Sequence, residues 1–237
     1  MVIDAGNTRV KVAYFEGQKQ IETLTFNHVD GLDATALPGT IHHVIASSVS
    51  YPTQDLLKRI EATGSKLELT PLLPLPVTNL YATPATLGVD RIAAACGAWG
   101  LLPQRPALVV DVGTCINYEF VDAQGRYHGG AISPGLQMRF QAMHTFTSRL
   151  PLVSVALHPP LTGNSTETCM QSGVLNGMVA EIDGLVDRYL NLYPNLGVIL
   201  CGGDYPLFEN QLKHPIFVAP DLVLSGLNRI LLHNVEN

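Results

Sequence analysis

The sequence has 237 residues, enough for one large domain or two small ones. Charged residues make up 14% and hydrophobic residues 46%, so we expect apolar surface to be buried against a partner, most simply a second copy of the chain. The net charge of −6, with no basic cluster, excludes nucleic acid as the main ligand. The four cysteines lack CxxC spacing, and no apolar run is long enough to span a membrane, so we expect reduced thiols in a cytoplasmic protein.

Strands dominate the beginning of the chain. Apolar patterning predicts strands at residues 1–4, 9–15, 21–26, 41–49 and 67–69, with a helix at 52–63. A proline-rich connector at 71–76 cannot be helical. Thr83 and Pro84 then have the form of an N-cap and a first helical turn, which predicts a helix ending near Leu101.

A second series begins after Pro106. Strands are predicted at 107–111, 115–121, 126–133 and 198–201, and helices at 136–147, 168–192 and 221–235, with a Gly202-Gly203 turn after the last strand. Strands followed by helices, twice over, predict an α/β fold with a first domain at 1–105 and a second at 106–237.

The two series open alike. VIDAGNT at residues 2–8 is matched by VVDVGT at 109–114, and in each an apolar strand ends in Asp-x-Gly with a hydroxyl residue close behind. A hairpin turn explains one copy, because Gly-Asn is a common turn pair. Two copies favour a phosphate site, since glycine lets successive N–H groups approach one anion. The acids Asp4 and Asp111 then require a cation between carboxylate and phosphate, and Lys11 is a candidate for the terminal phosphate.

Paired Asp-x-Gly hairpins in duplicated domains resemble the acetate and sugar kinase, Hsp70 and actin superfamily. The resemblance implies two tandem ribonuclease H-like (actin-like ATPase) domains, with mixed sheets flanked by helices, and it makes Gly202-Gly203 an adenosine-side turn. Three further stretches, YATPATLGVDR at 81–91, GGAISPG to TSRLP at 129–151, and Ser165-Thr166, resemble the type III pantothenate kinases. The resemblance covers nearly the whole chain and implies ATP-dependent phosphorylation of pantothenate to 4'-phosphopantothenate, the first step of coenzyme A biosynthesis.

The resemblance assigns roles to particular residues. It implies ATP contacts at Asp4, Ala5, Gly6, Asn7, Thr8, Arg9, Val10, Lys11 and Thr114. It implies pantothenate contacts at Tyr81, Gly88, Val89, Asp90, Arg91 and Thr166, with Asp90 as the catalytic base. It also implies Mg²⁺, a monovalent cation (potassium or ammonium) at Asp111, and a homodimer.

The residues themselves leave alternatives open. Asp90 and Arg91 could be an exposed polar pair on an alanine-rich helix, Asp111 could cap its own turn, and Thr166 could be a helix N-cap. Yet a carboxylate near a helix start is held ionised and suits a proton acceptor, and an adjacent arginine suits an anionic substrate.

Some positions depart from the family pattern. Glu119 stands where many members have Asp, and Cys115 and Asn117 replace small and hydroxyl residues, so we expect the cation preference to be affected. Two other functions compete with the first. One is a catalytically weak, nucleotide-binding regulatory accessory protein of the same fold, and the other is a sugar or acetate kinase.

Overall fold

The computed structural model describes residues 1–32 and 39–236. The chain forms two compact units: the first contains the described residues of Met1–Arg105, Glu119–Gly129 and Asp221–Asn237, and the second contains Pro106–Tyr118 and Gly130–Pro220. The first unit therefore includes two segments from the half of the sequence predicted to be the second domain. The assignment of domains to 1–105 and 106–237 stays a prediction.

The first sheet has five strands. They are β1 (Val2–Ala5), β2 (Val10–Glu16), β3 (Lys19–Phe26), β4 (Val44–Ser48) and β5 (Lys66–Glu68), in the order β3-β2-β1-β4-β5. The first three strands are antiparallel neighbours, and β1, β4 and β5 are parallel neighbours. Of the three parallel strands, β1 ends in the turn at Asp4–Arg9, β4 ends at Ser48 and β5 ends at Glu68.

The second sheet has six strands. They are β6 (Thr78–Asn79), β7 (Ala107–Val112), β8 (Cys115–Val121), β9 (Arg126–Pro134), β10 (Gly197–Cys201) and β11 (Phe217–Val218), in the order β11-β10-β7-β8-β9-β6. Without the short β6, the order β9-β8-β7-β10-β11 repeats that of the first sheet. The repeat read from the two Asp-x-Gly turns therefore extends to the strand order, and the α/β prediction with two mixed sheets is confirmed.

In the described part of the chain, five α-helices flank the strands. They are α1 (Thr53–Lys58), α2 (Val89–Leu101), α3 (Leu136–Phe146), α4 (Thr166–Leu192) and α5 (Leu222–Val235). In the first unit, alternate residues of each strand divide between two apolar cores: Ile3 packs in a cluster with Leu56 of α1, and Val2 packs in another with Ile92 of α2 and Leu227 of α5. None of the described helices has the length and apolar character needed to cross a membrane.

Close packing fixes α2 in the first unit. A Cβ on Gly226 of α5 would lie 1.8 Å from the Ala93 carbonyl oxygen, and one on Gly97 of α2 would lie 2.4 Å from that of Leu222. Only glycine therefore allows the two helices to approach this closely. The N-terminus of α2, which carries Asp90 and Arg91, is held by this contact.

Two helix boundaries differ from the prediction by five residues or more, and the others by at most two. The helix expected at 52–63 ends at Lys58, and the chain then returns to the strands, where the Thr63 amide donates to the Ile41 carbonyl. The predicted helix start at Thr83-Pro84 is a separate 3₁₀ turn at Pro84–Thr86, and α2 begins five residues after Pro84, at Val89. Leu87 and Gly88 between them have extended backbone, which separates the two turns.

Candidate active site

The first Asp-x-Gly turn joins β1 to β2. The Gly6 amide donates to the Arg9 carbonyl over 3.0 Å, and the Ser50 hydroxyl donates to the Gly6 carbonyl over 2.9 Å. Asn7, Thr8 and Arg9 are exposed at the tip. Ala5 and Val10 are buried in the core, so only their backbone groups are available to a ligand there.

Asp4 and Lys11 face each other across this hairpin. They are direct cross-strand partners, so their side chains lie on the same face of the sheet. The Ser47 hydroxyl on the neighbouring strand donates to Asp4 Oδ1 over 2.9 Å, and the Lys11 ammonium is 3.8 Å from Asp221. Burial raises the pKa of Asp4 to about 6, the Ser47 hydrogen bond opposes this, and the charge of Asp90 adds to it.

Asp90 lies in the first turn of α2. Its Oδ1 accepts a hydrogen bond from the Arg91 amide over 2.9 Å, which places the carboxylate at the positive end of the helix. Gly88 makes room for it, because a Cβ there would lie 2.5 Å from Asp90 Oδ1. The expectation of an acid at a helix start therefore matches the structure, although the helix begins later than predicted.

Arg91 is buried and bound to an acid of the chain itself. Its Nε donates to Glu119 Oε1 over 2.5 Å and its Nη2 donates to Glu119 Oε2 over 3.0 Å. The Tyr127 hydroxyl donates to the same Oε2 over 2.5 Å. Glu119, which the sequence connects with cation preference, is therefore the hydrogen-bond acceptor of Arg91. An edge of the guanidinium that could take a substrate carboxylate is occupied by Glu119.

Tyr81 completes this group of side chains. Its ring stacks on that of Tyr127 with a centroid separation of 6.4 Å, and the Arg91 guanidinium lies 5.5 Å from the Tyr81 ring centroid. Gly129 has a positive φ of 92°, and a Cβ on it would lie 2.9 Å from the Tyr81 ring. Four predicted substrate residues, Tyr81, Gly88, Asp90 and Arg91, are thus brought together in the first unit.

The charges of this group depend on each other. Burial disfavours the Arg91 cation, yet hydrogen bonds and the charge of Glu119 raise the pKa of Arg91 above its ordinary value. Burial raises the pKa of Glu119, and hydrogen bonds from Arg91 and Tyr127 oppose that rise. Burial and the charge of Glu119 also raise the pKa of Tyr127, so its hydroxyl stays a donor.

The second Asp-x-Gly turn lies in the second unit, between β7 and β8. The Gly113 amide donates to the Cys115 carbonyl over 2.9 Å, and Thr114 is exposed. Two more glycines approach this turn closely. A Cβ on Gly135 would lie 2.1 Å from the Gly113 carbonyl, and one on Gly202, whose φ is +93°, would lie 2.5 Å from Asp111 Oδ1. The Gly202-Gly203 turn and the GGAISPG motif therefore both meet Asp111–Thr114.

Thr166 is the first residue of α4, in the second unit. Ser165, not Thr166, is the N-cap: its hydroxyl accepts from the Thr168 amide over 3.2 Å, and the Thr168 hydroxyl accepts from the Ser165 amide. The N-cap alternative for Thr166 is therefore wrong, and its exposed hydroxyl is available for other contacts. Thr166 lines a cavity of about 770 Å³, together with Met143, Leu150, Gly163, Asn164, Ser165, Cys169, Met170 and Gly173.

The oxygen donors suit hard cations. Within residues 1–32 and 39–236, no group of three or more His, Cys, Asp or Glu side chains is arranged to hold a metal ion. Asp111 is accompanied instead by the backbone carbonyl of Val112, which faces Gly202. A carboxylate with carbonyl oxygens fits an alkali or divalent cation and does not fit a thiolate-binding metal.

The repeated strand order and the two Asp-x-Gly turns define an actin-like ATPase fold, the class of many phosphotransferases. A family model for type III pantothenate kinase matches residues 1–188. The chain is 44% identical over 236 residues to the type III pantothenate kinase of Cytophaga hutchinsonii, and the alignment covers 99% of each protein. It is 43% identical to the type III pantothenate kinase of Phocaeicola vulgatus, with 99% of this chain and 98% of that protein covered. The chain belongs to the type III pantothenate kinase family, and it is a kinase.

A solved structure supports the fold independently. A conserved Baf family protein from Campylobacter jejuni superposes with a TM-score of 0.65 at 20% identity, over 100% of this chain and 99% of that one. At this identity the likeness shows the fold alone. Full-length matches to kinases do not favour the alternative of a regulatory accessory protein.

Sequence reasoning missed part of this site. Glu119 and Tyr127 were not connected with Arg91, and Ser47 was not connected with Asp4. One signal was available for Glu119: it is a charged residue within the buried run of β8, and a glutamate is rarely buried unless it is paired.

Proposed function

We propose that this protein transfers the γ-phosphoryl group of ATP to the primary hydroxyl of pantothenate, giving 4'-phosphopantothenate in coenzyme A biosynthesis. The observation that carries the proposal is the placement of Asp90. Its carboxylate lies at the start of α2, with space provided by Gly88, and next to it lie Arg91 and the Tyr81 ring. An ionised acid beside an arginine and an aromatic ring suits a substrate with a hydroxyl to deprotonate and polar groups to hold.

The two Asp-x-Gly turns supply the ATP contacts in this proposal. Exposed Asn7, Thr8 and Arg9 at the first turn, and Thr114 at the second, offer N–H and hydroxyl donors to phosphate oxygens. Mg²⁺ would be held by Asp4, directly or through water, and would neutralise phosphate charge; Asp111 would hold a monovalent cation. Lys11, opposite Asp4, would add a positive charge at the same place.

Asp90 is the proposed base. It accepts the proton of the pantothenate hydroxyl as that oxygen attacks the γ-phosphorus in line, while Arg91, Tyr81 and Thr166 hold the substrate. Most of the barrier reduction comes from positioning and charge neutralisation, as is general for phosphoryl transfer. Arg91 has five N–H donors; Glu119 takes two of them and Tyr81 shares in another, and the remaining donors are the ones proposed to bind the substrate.

The test is Asp90→Asn. A positioned base is worth about 10²–10⁴-fold, so we expect pantothenate-dependent ADP release to fall by a factor in that range while ATP affinity, measured by calorimetry, stays within about twofold. The matched control is Asp55→Asn, which changes an exposed acid in the first turn of α1 and leaves turnover unchanged. Equal turnover of Asp90→Asn and wild type would overturn the role of Asp90.

The finer expectations stay predictions. They are the homodimer, the dependence on potassium or ammonium, the use of Mg²⁺, and the cytoplasmic location. ADP release with and without potassium checks the cation, and light scattering on purified protein checks the dimer. Two exposed apolar side chains of the second unit are compatible with an interface: Phe146 is 85% exposed and Leu161 is 84% exposed.

A further inference from the structure

Glu119 is a buried acid that the proposed reaction does not use. It lies on β8, its exposed fraction is 0%, and its neighbours Phe120 and Val121 are buried too. Its carboxylate accepts two hydrogen bonds from Arg91 and one from the Tyr127 hydroxyl. A charge is costly to bury unless it is paired with good geometry, and a pair of apolar residues would fill the same space without that cost. The pair therefore points to a role other than stability.

The contacts around Glu119 form a closed cycle. Glu119 binds Arg91, the Arg91 guanidinium lies over the Tyr81 ring, Tyr81 stacks on Tyr127, and Tyr127 donates back to Glu119. The two rings are nearly parallel, with an angle of 10° between their planes. Two members of the cycle, Tyr81 and Arg91, are proposed pantothenate contacts. The other two, Glu119 and Tyr127, are not.

We propose that Glu119 is a positioning residue for pantothenate, acting through Arg91 and Tyr127. The inference rests on the proposed function. By binding Nε and Nη2, Glu119 holds the guanidinium in one orientation, and the remaining N–H groups then have fixed directions beside Asp90. By accepting from Tyr127, it also fixes the ring on which Tyr81 stacks.

Loss of this acid frees a long side chain. Arginine has many rotamers, and without Glu119 the guanidinium has no fixed counter-ion in the cycle. A misplacement of about 1 Å at a positioning group can cost about 10²-fold in rate. The effect falls on pantothenate, because the proposed ATP contacts lie on the turns at Asp4–Lys11 and Asp111–Thr114.

The experiment compares two glutamates that each bind one arginine and one tyrosine. In Glu119→Gln we expect kcat/KM for pantothenate to fall at least tenfold, while KM for ATP stays within about twofold. The matched control is Glu181→Gln, which removes the same charge from a pair with Arg139 and Tyr118 in the second unit and leaves both constants within about twofold. A general loss of structure would change both substrates, so the split between them identifies positioning.

A second variant covers poor folding of Glu119→Gln. Tyr127→Phe removes only one hydroxyl, and we expect the same split in direction with a smaller loss, about threefold to tenfold. In an Arg91→Met background, Glu119→Gln should cost less than it does in the wild-type background, because the part of its effect that passes through Arg91 is already lost.

The outcomes separate the two proposals. Active wild type with an unchanged Glu119→Gln overturns the role of Glu119 alone. Additive losses in the double variant, or equal losses for ATP and pantothenate, also overturn it. Wild-type protein that releases no ADP in response to pantothenate overturns the proposed function, and the inference with it.

Discussion

Two groups of side chains in this protein have the same chemistry and different surroundings. In the first unit, Arg91 and Tyr127 bind Glu119, which is fully buried. In the second unit, Arg139 and Tyr118 bind Glu181 with bonds of 2.5 and 3.1 Å, and the side chains of Arg139 and Glu181 are 21% and 27% exposed. Tyr118 and Glu119 are neighbours on β8, so one strand contributes a member to each group.

The difference between the groups is access to water. In the buried group, removal of Arg91 or of Glu119 takes away the counter-ion of the other, and the remaining contacts with Tyr127 and Tyr81 are uncharged. In the second group Tyr118 is also buried, but water can reach Arg139 and Glu181 and replace a lost partner of their ion pair, which reduces the cost. Similar hydrogen bonds in the two groups therefore differ in the stability that is lost when one partner is removed. The same comparison explains why a buried pair is sensitive to any substitution and can hold a substrate contact in one orientation.

The largest expected effect is on stability. Glu119→Ala leaves the Arg91 charge buried without a partner, and we expect the free energy of unfolding to fall by about 3–5 kcal/mol. Glu181→Ala removes a partly exposed pair, and we expect a loss of about 1 kcal/mol or less. Urea denaturation of the two variants beside wild type measures both. Similar losses in the two variants would show that burial does not distinguish the groups.

The tyrosines test the comparison more finely. Tyr127→Phe removes a hydrogen bond to a buried acid, worth about 1.5–3 kcal/mol, whereas Tyr118→Phe removes one to a partly exposed acid, worth about 0.5–1 kcal/mol. Burial raises the pKa of both phenols, so neither ionises near neutral pH and the comparison involves hydrogen bonding alone. The measurement is the same denaturation series at pH 7. A larger loss of stability for Tyr118→Phe than for Tyr127→Phe would show that the hydrogen bond to Glu119 is not the stronger of the two.

The sequence predicted the strands well and the polar pairs poorly, for a physical reason. Strand β8 was predicted with its observed bounds, because an apolar run between turn residues is a local signal. The start of α2 was placed too early, because Thr83-Pro84 has the same local form whether a single 3₁₀ turn or a helix follows. Asp4, Asp90 and Arg91 were predicted as site residues because they stand in short sequence motifs. The pairing of Arg91 with Glu119 joins residues 28 positions apart, and no local pattern encodes it.

Asp4 extends the comparison to a half-buried acid whose positively charged neighbour is a lysine. Its carboxylate accepts a hydrogen bond from the Ser47 hydroxyl and is attracted by the charge of Lys11, but burial raises its pKa to about 6. The raised pKa means that the folded state favours the protonated form, so the contribution of Asp4 to stability is complete below its ordinary pKa near 4 and is lost as pH rises through about 6. Asp4→Asn keeps an acceptor for Ser47 and removes the charge. Without nucleotide or metal, we therefore expect it to be about 1–3 kcal/mol more stable than wild type at pH 8.

The control for Asp4 is an acid shifted in the opposite direction. Asp122 is mostly buried, but hydrogen bonds from His128, Arg126 and nearby amides outweigh that burial and lower its pKa to about 2. Asp122→Asn should therefore be less stable than wild type at pH 8, whereas Asp4→Asn is more stable. Denaturation between pH 4.5 and 8 resolves the two: the advantage of Asp4→Asn should shrink steadily as pH falls below about 6. An advantage that does not change with pH would contradict the raised pKa of Asp4. It would mean that the Asp4 carboxylate, when charged, is not destabilised by burial at this position, even without an arginine beside it.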